Sequence, residues 1–286
     1  MITESKIQLS SIRVNYQKAG LESAPAILLL HGLGARASFW MPVIPSLVNQ
    51  GFQVYALDLP GFGSSESVAE LYTPDTVGKL VGEFVEALNL SPVIVVGHSM
   101  GGTMTGSFAI ANPACIKALV FVDAFGFSNN LIPVSPAIFY NLAIPSLYYR
   151  LTWQSDKLIQ PIVKSNFHVS DRLSPEILDM AITENWVGSS SERAKILYGL
   201  GVSMGFQAQR SEYVHNLRDR FHQYGFPILV IWGQEDAFIP VRDAYHIKSK
   251  IPEIELKIIP DCGHVPPLEK TDEFNNSLIQ FLSTLD

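Results

Sequence analysis

The sequence predicts an α/β fold: a mostly parallel sheet flanked by helices, with an inserted helical cap. Three observations lead there. Short apolar runs at residues 26–30, 52–57, 93–96 and 118–122 alternate with stretches of helical spacing, the pattern of strands buried on both faces and joined by crossover helices. The alternation stops near Ala124 and resumes at Phe226 with two more strand-like runs, 227–232 and 254–259. The 286 residues are 47% hydrophobic, enough to bury one large core that carries an insertion.

Taken in order, residues 7–16 alternate as an antiparallel strand or hairpin ahead of the parallel run. Trp40, Val43, Ile44, Leu47 and Val48 follow helical spacing with Ser38 as N-cap, and Val77, Leu80, Val81, Phe84, Val85 and Leu88 repeat the stripe after Pro74. Both stripes are read as core, as are Met104 and Phe108 in the helix behind residues 97–101. Residues 1–124 and 210–286 are assigned to the core domain and 125–209 to the cap, with helical segments around 175–186 and 193–204. Residues 124–149 carry no charge, but Pro133, Pro136 and Pro145 break them into pieces too short to span a bilayer. Within them Ile138, Phe139 and Leu142 are expected to line a substrate pocket, although packing of cap onto core explains the same residues.

The chemistry concentrates where apolar runs end. Gly97-His98-Ser99-Met100-Gly101 follows residues 92–96 directly and reads as strand, sharp turn, helix, a geometry that exposes the serine and leaves no room for bulky neighbours. A serine hydroxyl is a poor nucleophile without a histidine base and a carboxylate to orient it. Candidates follow in order: Asp236 after the run ending at Trp232, and His264 after the run ending at Ile259. In an open parallel sheet these loops share the carboxyl edge, where distant side chains converge. Asp123, Glu235 and Asp261 are rival acids, Asp123 because it ends the preceding strand. His31, His98, His168, His215, His222 and His246 are rival bases with capping, loop or surface explanations. The loop His31-Gly32-Leu33-Gly34 allows the Leu33 amide to join that of Met100 as an oxyanion hole. Asp58, before Pro60-Gly61-Phe62-Gly63, is read as turn chemistry.

These pieces, together with Asp58-Leu59-Pro60-Gly61-Phe62-Gly63-Ser64-Ser65 and Trp232-Gly233-Gln234-Glu235-Asp236, resemble the α/β-hydrolase fold superfamily over nearly the whole chain. A serine at the elbow separates the chain from dehalogenases and epoxide hydrolases, which resemble this fold with Asp there. The resemblance implies a serine hydrolase of the carboxylesterase or lipase-like type, acting on small-molecule esters with a nonpolar acyl group and needing neither metal nor organic cofactor. Two alternatives stay open. One is carbon–carbon bond hydrolysis of a ring-cleavage diketone, against which stand Ala35-Arg36 and His98, where that family usually resembles His-Gly-x-Gly-Pro-Gly and carries Asn before the serine. The other is a small-ligand receptor on the same fold with little turnover.

Composition narrows the partners. A net charge of −7 without a Lys/Arg cluster argues against nucleic acid. Cys115 and Cys262 lack metal-ligand spacing and are expected as free thiols. The first residues lack the pattern of a signal peptide and no apolar run reaches membrane-spanning length, so a cytoplasmic location is expected.

Overall fold

The computed structural model describes residues 1–68, 72–127, 161, 163–183 and 207–285. Eight strands form one sheet: β1 (Thr3–Gln8), β2 (Arg13–Ala19), β3 (Ala26–Leu30), β4 (Gln53–Leu57), β5 (Val93–His98), β6 (Ile116–Val122), β7 (Ile228–Gly233) and β8 (Glu255–Ile259). Their spatial order is β1-β2-β4-β3-β5-β6-β7-β8. β1 and β2 form the expected antiparallel hairpin, β2 runs antiparallel to β4, and all later pairings are parallel.

The side-chain period of two sends alternate residues of each strand to opposite faces, which explains why the central strands are apolar throughout. Leu28, Leu30, Val93, Val95 and Phe121 pack on one face in a cluster with the helix α2 (Pro74–Ala87) and the helix α3 (Met100–Ala111). Ile27, Leu29, Ile94, Val96, Val122 and Ile231 meet α1 (Ile44–Asn49) and a carboxyl-terminal helix on the other. β8, at the sheet edge, alternates exposed Glu255 and Lys257 with half-buried Leu256 and Ile258.

One expected helix is divided. Residues 37–40 form a 3-10 turn and α1 begins only at Ile44, with Val43 rather than Ser38 at its N-cap. The cause is a pair of prolines: Pro42 and Pro45 lack the N–H groups that a continuous helix would direct to Ser38 and Met41. The apolar stripe survives the break, for Trp40, Val43, Ile44 and Leu47 are all buried.

Of the proposed cap, α4 (Pro175–Thr183) matches the start of the segment expected at 175–186. The segment 193–204 lies outside the described residues. α5 (Gln207–Tyr224) straddles the 209/210 boundary drawn from the sequence, with Leu217 fully buried. Three further helices complete the chain, α6 (Arg242–Lys250), α7 (Pro266–Glu269) and α8 (Thr271–Leu282). None of the described helices is long and apolar enough to cross a membrane. Cys115 and Cys262 are both free.

Two buried polar residues tie the β3 and β4 ends together. Asp58 accepts from the amides of Ala37 (2.7 Å) and Ser64 (2.8 Å) and from Asn15 Nδ2 (2.9 Å). A side chain at Gly63, which sits at φ 53°, would collide with that carboxylate. Asp58 thus joins three segments, more than the local turn read from sequence. His31 accepts from the Leu59 amide through Nε2 (3.0 Å), so its proton resides on Nδ1, which donates to the Gly32 carbonyl (2.7 Å). Burial pushes the His31 ring down to about 4.

Because the unfolded chain takes up this proton near pH 6.5 and the fold resists it, stability is full above that pH and declines as pH falls toward about 4, by on the order of 3 kcal/mol. In His31→Gln, the loss of stability between about pH 7 and about pH 5 should be smaller than in the parent, as read from urea midpoints. Equal losses in both proteins would remove His31 as the source.

Candidate active site

The turn between β5 and α3 sets the site. Ser99 adopts φ 53° and ψ −117°, outside the ordinary regions for a residue with a side chain. The strain is held by main-chain bonds: Ser99 N–H donates to the Val122 carbonyl (2.9 Å), and the Ser99 carbonyl accepts from Gly102 (3.0 Å) and Phe125 (3.1 Å). α3 presses so close to β3 that a Cβ at Gly101 would meet the carbonyls of Leu30 and His31. This proximity brings the β3 loop to the Ser99 turn: a Cβ at Gly32 would lie 3.1 Å from Ser99 Cβ. Leu33 follows in that loop, and Met100 opens α3, where first-turn amides have no partner within the helix.

His264, in the loop after β8, faces Ser99 with Nε2 3.0 Å from Oγ, while its Nδ1 lies 2.7 Å from Asp236 Oδ2. A carboxylate only accepts, so Nδ1 carries the proton and Nε2 is left as the acceptor for the Ser99 hydroxyl. Asp236 is fixed in turn, its Oδ1 accepting from the amides of Phe238 (2.7 Å) and Ile239 (2.9 Å). The Asp236 side chain is fully buried, that of His264 nearly so, and Ser99 is partly exposed, so the array opens toward solvent at its Ser99 end. Such an arrangement can withdraw a proton from Ser99 as its oxygen attacks an electrophile.

The model of the alpha/beta hydrolase fold family matches residues 25–271, which include every strand that positions this array except the amino-terminal hairpin. The chain belongs to the alpha/beta hydrolase fold family. It is 28% identical over 276 residues to a dihydrolipoyllysine-residue acetyltransferase component of the acetoin cleaving system of Cupriavidus necator, covering 96% of this chain and 67% of that protein. It is 25% identical over 278 residues to a 2-hydroxy-6-oxononadienedioate/2-hydroxy-6-oxononatrienedioate hydrolase of Burkholderia vietnamiensis, covering 96% and 92%. Its hydrolase fold is shared with a thermophilic esterase from Thermogutta terrifontis, with a TM-score of 0.78, 22% identity and 99% of each chain covered.

The rival residues of the hydrolase fold have other partners. Glu235 accepts from the Cys262 amide (3.0 Å), and Asp261 lies 3.6 Å from His168 and 3.3 Å from Lys270. Asp123 is buried beside Asp236, its Oδ1 accepting from the Gly233 amide (2.9 Å). Asp123, Asp236 and His264 bring their ligand-type atoms within 4.8 Å of one another, but Asp236 and the His264 Nδ1 already serve each other and the loop amides. His98 stacks on Phe39 (4.8 Å between centroids) and donates from Nε2 to the His264 carbonyl (2.7 Å). Burial, then the neighbouring His264, pushes His98 well below the usual histidine range. His222 is exposed and His246 half-buried, while the side chain of His215 and the residues Ile138, Phe139 and Leu142 lie outside the described ones.

Three supports of the His264 loop escaped sequence reading. The His264 amide donates to the Asn166 carbonyl (2.7 Å). Glu269 accepts from Gly263 N (2.7 Å) and from Val169 N (2.9 Å), joining the loop to the segment that precedes α4. The Phe238 ring lies 5.5 Å from that of His264. Only Phe238, two residues after Asp236, carried any signal. Glu269→Leu strands both amides and should lower stability by about 2 kcal/mol, whereas Glu269→Gln, which keeps one acceptor, should lose about half as much. Urea denaturation checks the ranking, and equal losses would show that packing rather than the two bonds sets the cost.

Proposed function

We propose that the protein is a serine hydrolase that cleaves carboxylic esters bearing a nonpolar, short-to-medium acyl group. The observation that carries this reading is the unbroken relay from Ser99 Oγ through the His264 ring to Asp236 at 3.0 and 2.7 Å. Ser99 attacks the ester carbonyl and gives its proton to His264 Nε2, while Asp236 stabilises the imidazolium that forms. The amides of Leu33 and Met100 receive the charge on the carbonyl oxygen. His264 returns the proton to the departing alcohol, leaving Ser99 acylated. Water then attacks the acyl group with His264 as base, releasing the acid and restoring the hydroxyl.

An ester is favoured because an alcohol leaves more readily than an amine. The uncharged run at 124–149 supports a nonpolar acyl group, with Ile138, Phe139 and Leu142 as proposed lining residues and 125–209 as the proposed cap. Each substrate methylene buried there adds about 0.8 kcal/mol to binding. A second reading, hydrolysis of a carbon–carbon bond in a ring-cleavage diketone, draws support from relatives such as the Burkholderia vietnamiensis enzyme. His98 and Ala35-Arg36 weigh against it.

A panel of p-nitrophenyl esters of graded length, run beside a ring-cleavage diketone, separates the readings. Turnover should rise from acetate to butyrate or longer, and preference for the diketone would reverse the order of the two proposals. A fluorophosphonate probe should label Ser99, and Ser99→Ala should abolish both labelling and turnover. Asp236→Asn should lower kcat by on the order of 10⁴ through loss of the tautomer that keeps Nε2 unprotonated. Labelling at another residue, or an Asp236→Asn variant near parental activity, would refute the assignment.

A further inference from the structure

Asp123 is a buried carboxyl that the proposed mechanism does not use. It follows β6 with its backbone at φ 43°, and it is completely shielded from solvent. Its Oδ1 is satisfied by the Gly233 amide, but among the described residues no N–H or O–H group is directed at its Oδ2. The Asp236 carboxylate lies within the same 4.8 Å cluster, and an acceptor cannot satisfy another acceptor. Such a pair is tolerated in a dry site only when one member brings its own proton.

We propose that Asp123 is held as the neutral acid at neutral pH and donates a hydrogen bond from its carboxyl to Asp236, serving as a positioning residue for the Ser99–His264–Asp236 array. The roles differ because the partners differ. Asp236 accepts from His264 Nδ1 and from two loop amides, three donors that favour its anion, whereas Asp123 accepts from a single amide. Burial, then the charge of Asp236, pushes the Asp123 carboxyl well above the usual carboxylate range. Among the described residues the surrounding groups give Asp123 no counter-charge. Asp236 faces it from the loop after β7, His264 and Cys262 from the loop after β8, and Glu269 from α7. Lys270 is engaged with Asp261.

A donated bond from Asp123 gives Asp236 a fourth partner besides His264 and the two loop amides, and so holds the carboxylate against rotation away from the imidazole. The link also ties the ends of β6 and β7 together a second time, since Asp123 already holds the amide of Gly233, the last residue of β7. This inference rests on the serine-hydrolase reading for its effect on turnover, but the protonation state of Asp123 is independent of it.

Two variants test it. In Asp123→Asn the side-chain carbonyl can accept from Gly233 and the amide can donate to Asp236, so this variant should restore turnover to within about threefold of the parent. Asp123→Leu supplies neither group and should lower kcat roughly tenfold to a hundredfold with KM little changed. Thermal denaturation gives a readout without substrate. A carboxyl raised above its unfolded value lowers stability progressively as pH rises from the ordinary carboxylate range toward the folded value. Asp123→Asn should therefore have the higher Tm, by a margin that grows from about pH 5 to about pH 8. In infrared spectra at neutral pH the parent should show a protonated-carboxyl stretch that Asp123→Asn lacks. Loss of kcat in Asp123→Asn as deep as in Asp236→Asn, a Tm margin that shrinks with rising pH, or no carboxyl band lost would each overturn the proposal. A parent without ester turnover would instead refute the hydrolase reading, and the Tm and infrared results would still decide the state of Asp123.

Discussion

The left-handed backbone at Ser99 is the constraint on which the rest of the site depends. A non-glycine residue there costs on the order of 1–3 kcal/mol, and it persists only where the surroundings leave no alternative. Here the surroundings are two strands and a helix. β6 accepts the Ser99 amide, α3 begins at once, and its first turn lies directly against the carbonyl ends of β3. That close approach explains why small residues cluster on either side of Ser99, and why α3, buried on nearly all sides, shows no polar face. It also explains how a loop from the third strand reaches Ser99 without a side chain of its own.

The other members are held through main-chain groups more than through rotamer choice. His264 bonds by its N–H to Asn166, by its carbonyl to His98 and by its ring to Asp236, so both its backbone and its side chain are fixed. The loops after β7 and β8 are pressed together until a Cβ at Gly233 would strike the carbonyls of Cys262 and Gly263. Trp232 Nε1 donates to the Ile239 carbonyl (2.9 Å), closing the loop that carries Asp236. Catalytic arrays gain most when donors and acceptors are fixed before substrate arrives, and main-chain anchoring achieves this at little side-chain entropy cost.

The sheet was legible because strands buried on both faces must be apolar throughout, and five of the eight carry such runs. The nucleophile turn was legible because its geometry excludes most residues at 97 and 101. What the sequence concealed has equally physical reasons. Pro42 and Pro45 divide a helix whose apolar spacing continues across the break, so periodicity alone misreads it. α5 spaces Val214, Leu217, Phe221 and Tyr224 helically, but the polar residues around them dominate its composition and blur the stripe. Glu269 and Asn166 act on backbone groups, and a backbone amide has no signature in the residue to which it belongs. Asp123 and Asp236 follow adjacent strands, and the stretch from Gly233 to Asp236 already favoured Asp236 in the sequence; the His264 ring and two loop amides are directed at that residue.

The stretch 163–169, which lies ahead of α4 within the proposed insertion, has a consequence for the modularity of the chain. Val163 and Phe167 are buried in the core layer, Asn166 receives the histidine's amide, and Val169 shares Glu269 with Gly263. By sequence position these residues belong with the proposed insertion; by hydrogen bonding they belong with the framework. A chimera that exchanges the insertion for another must therefore place its downstream seam ahead of Val163. A splice after Val169 would carry away the mould in which the histidine loop is cast, and the transplant would fail at the recipient's own chemistry rather than at the foreign segment.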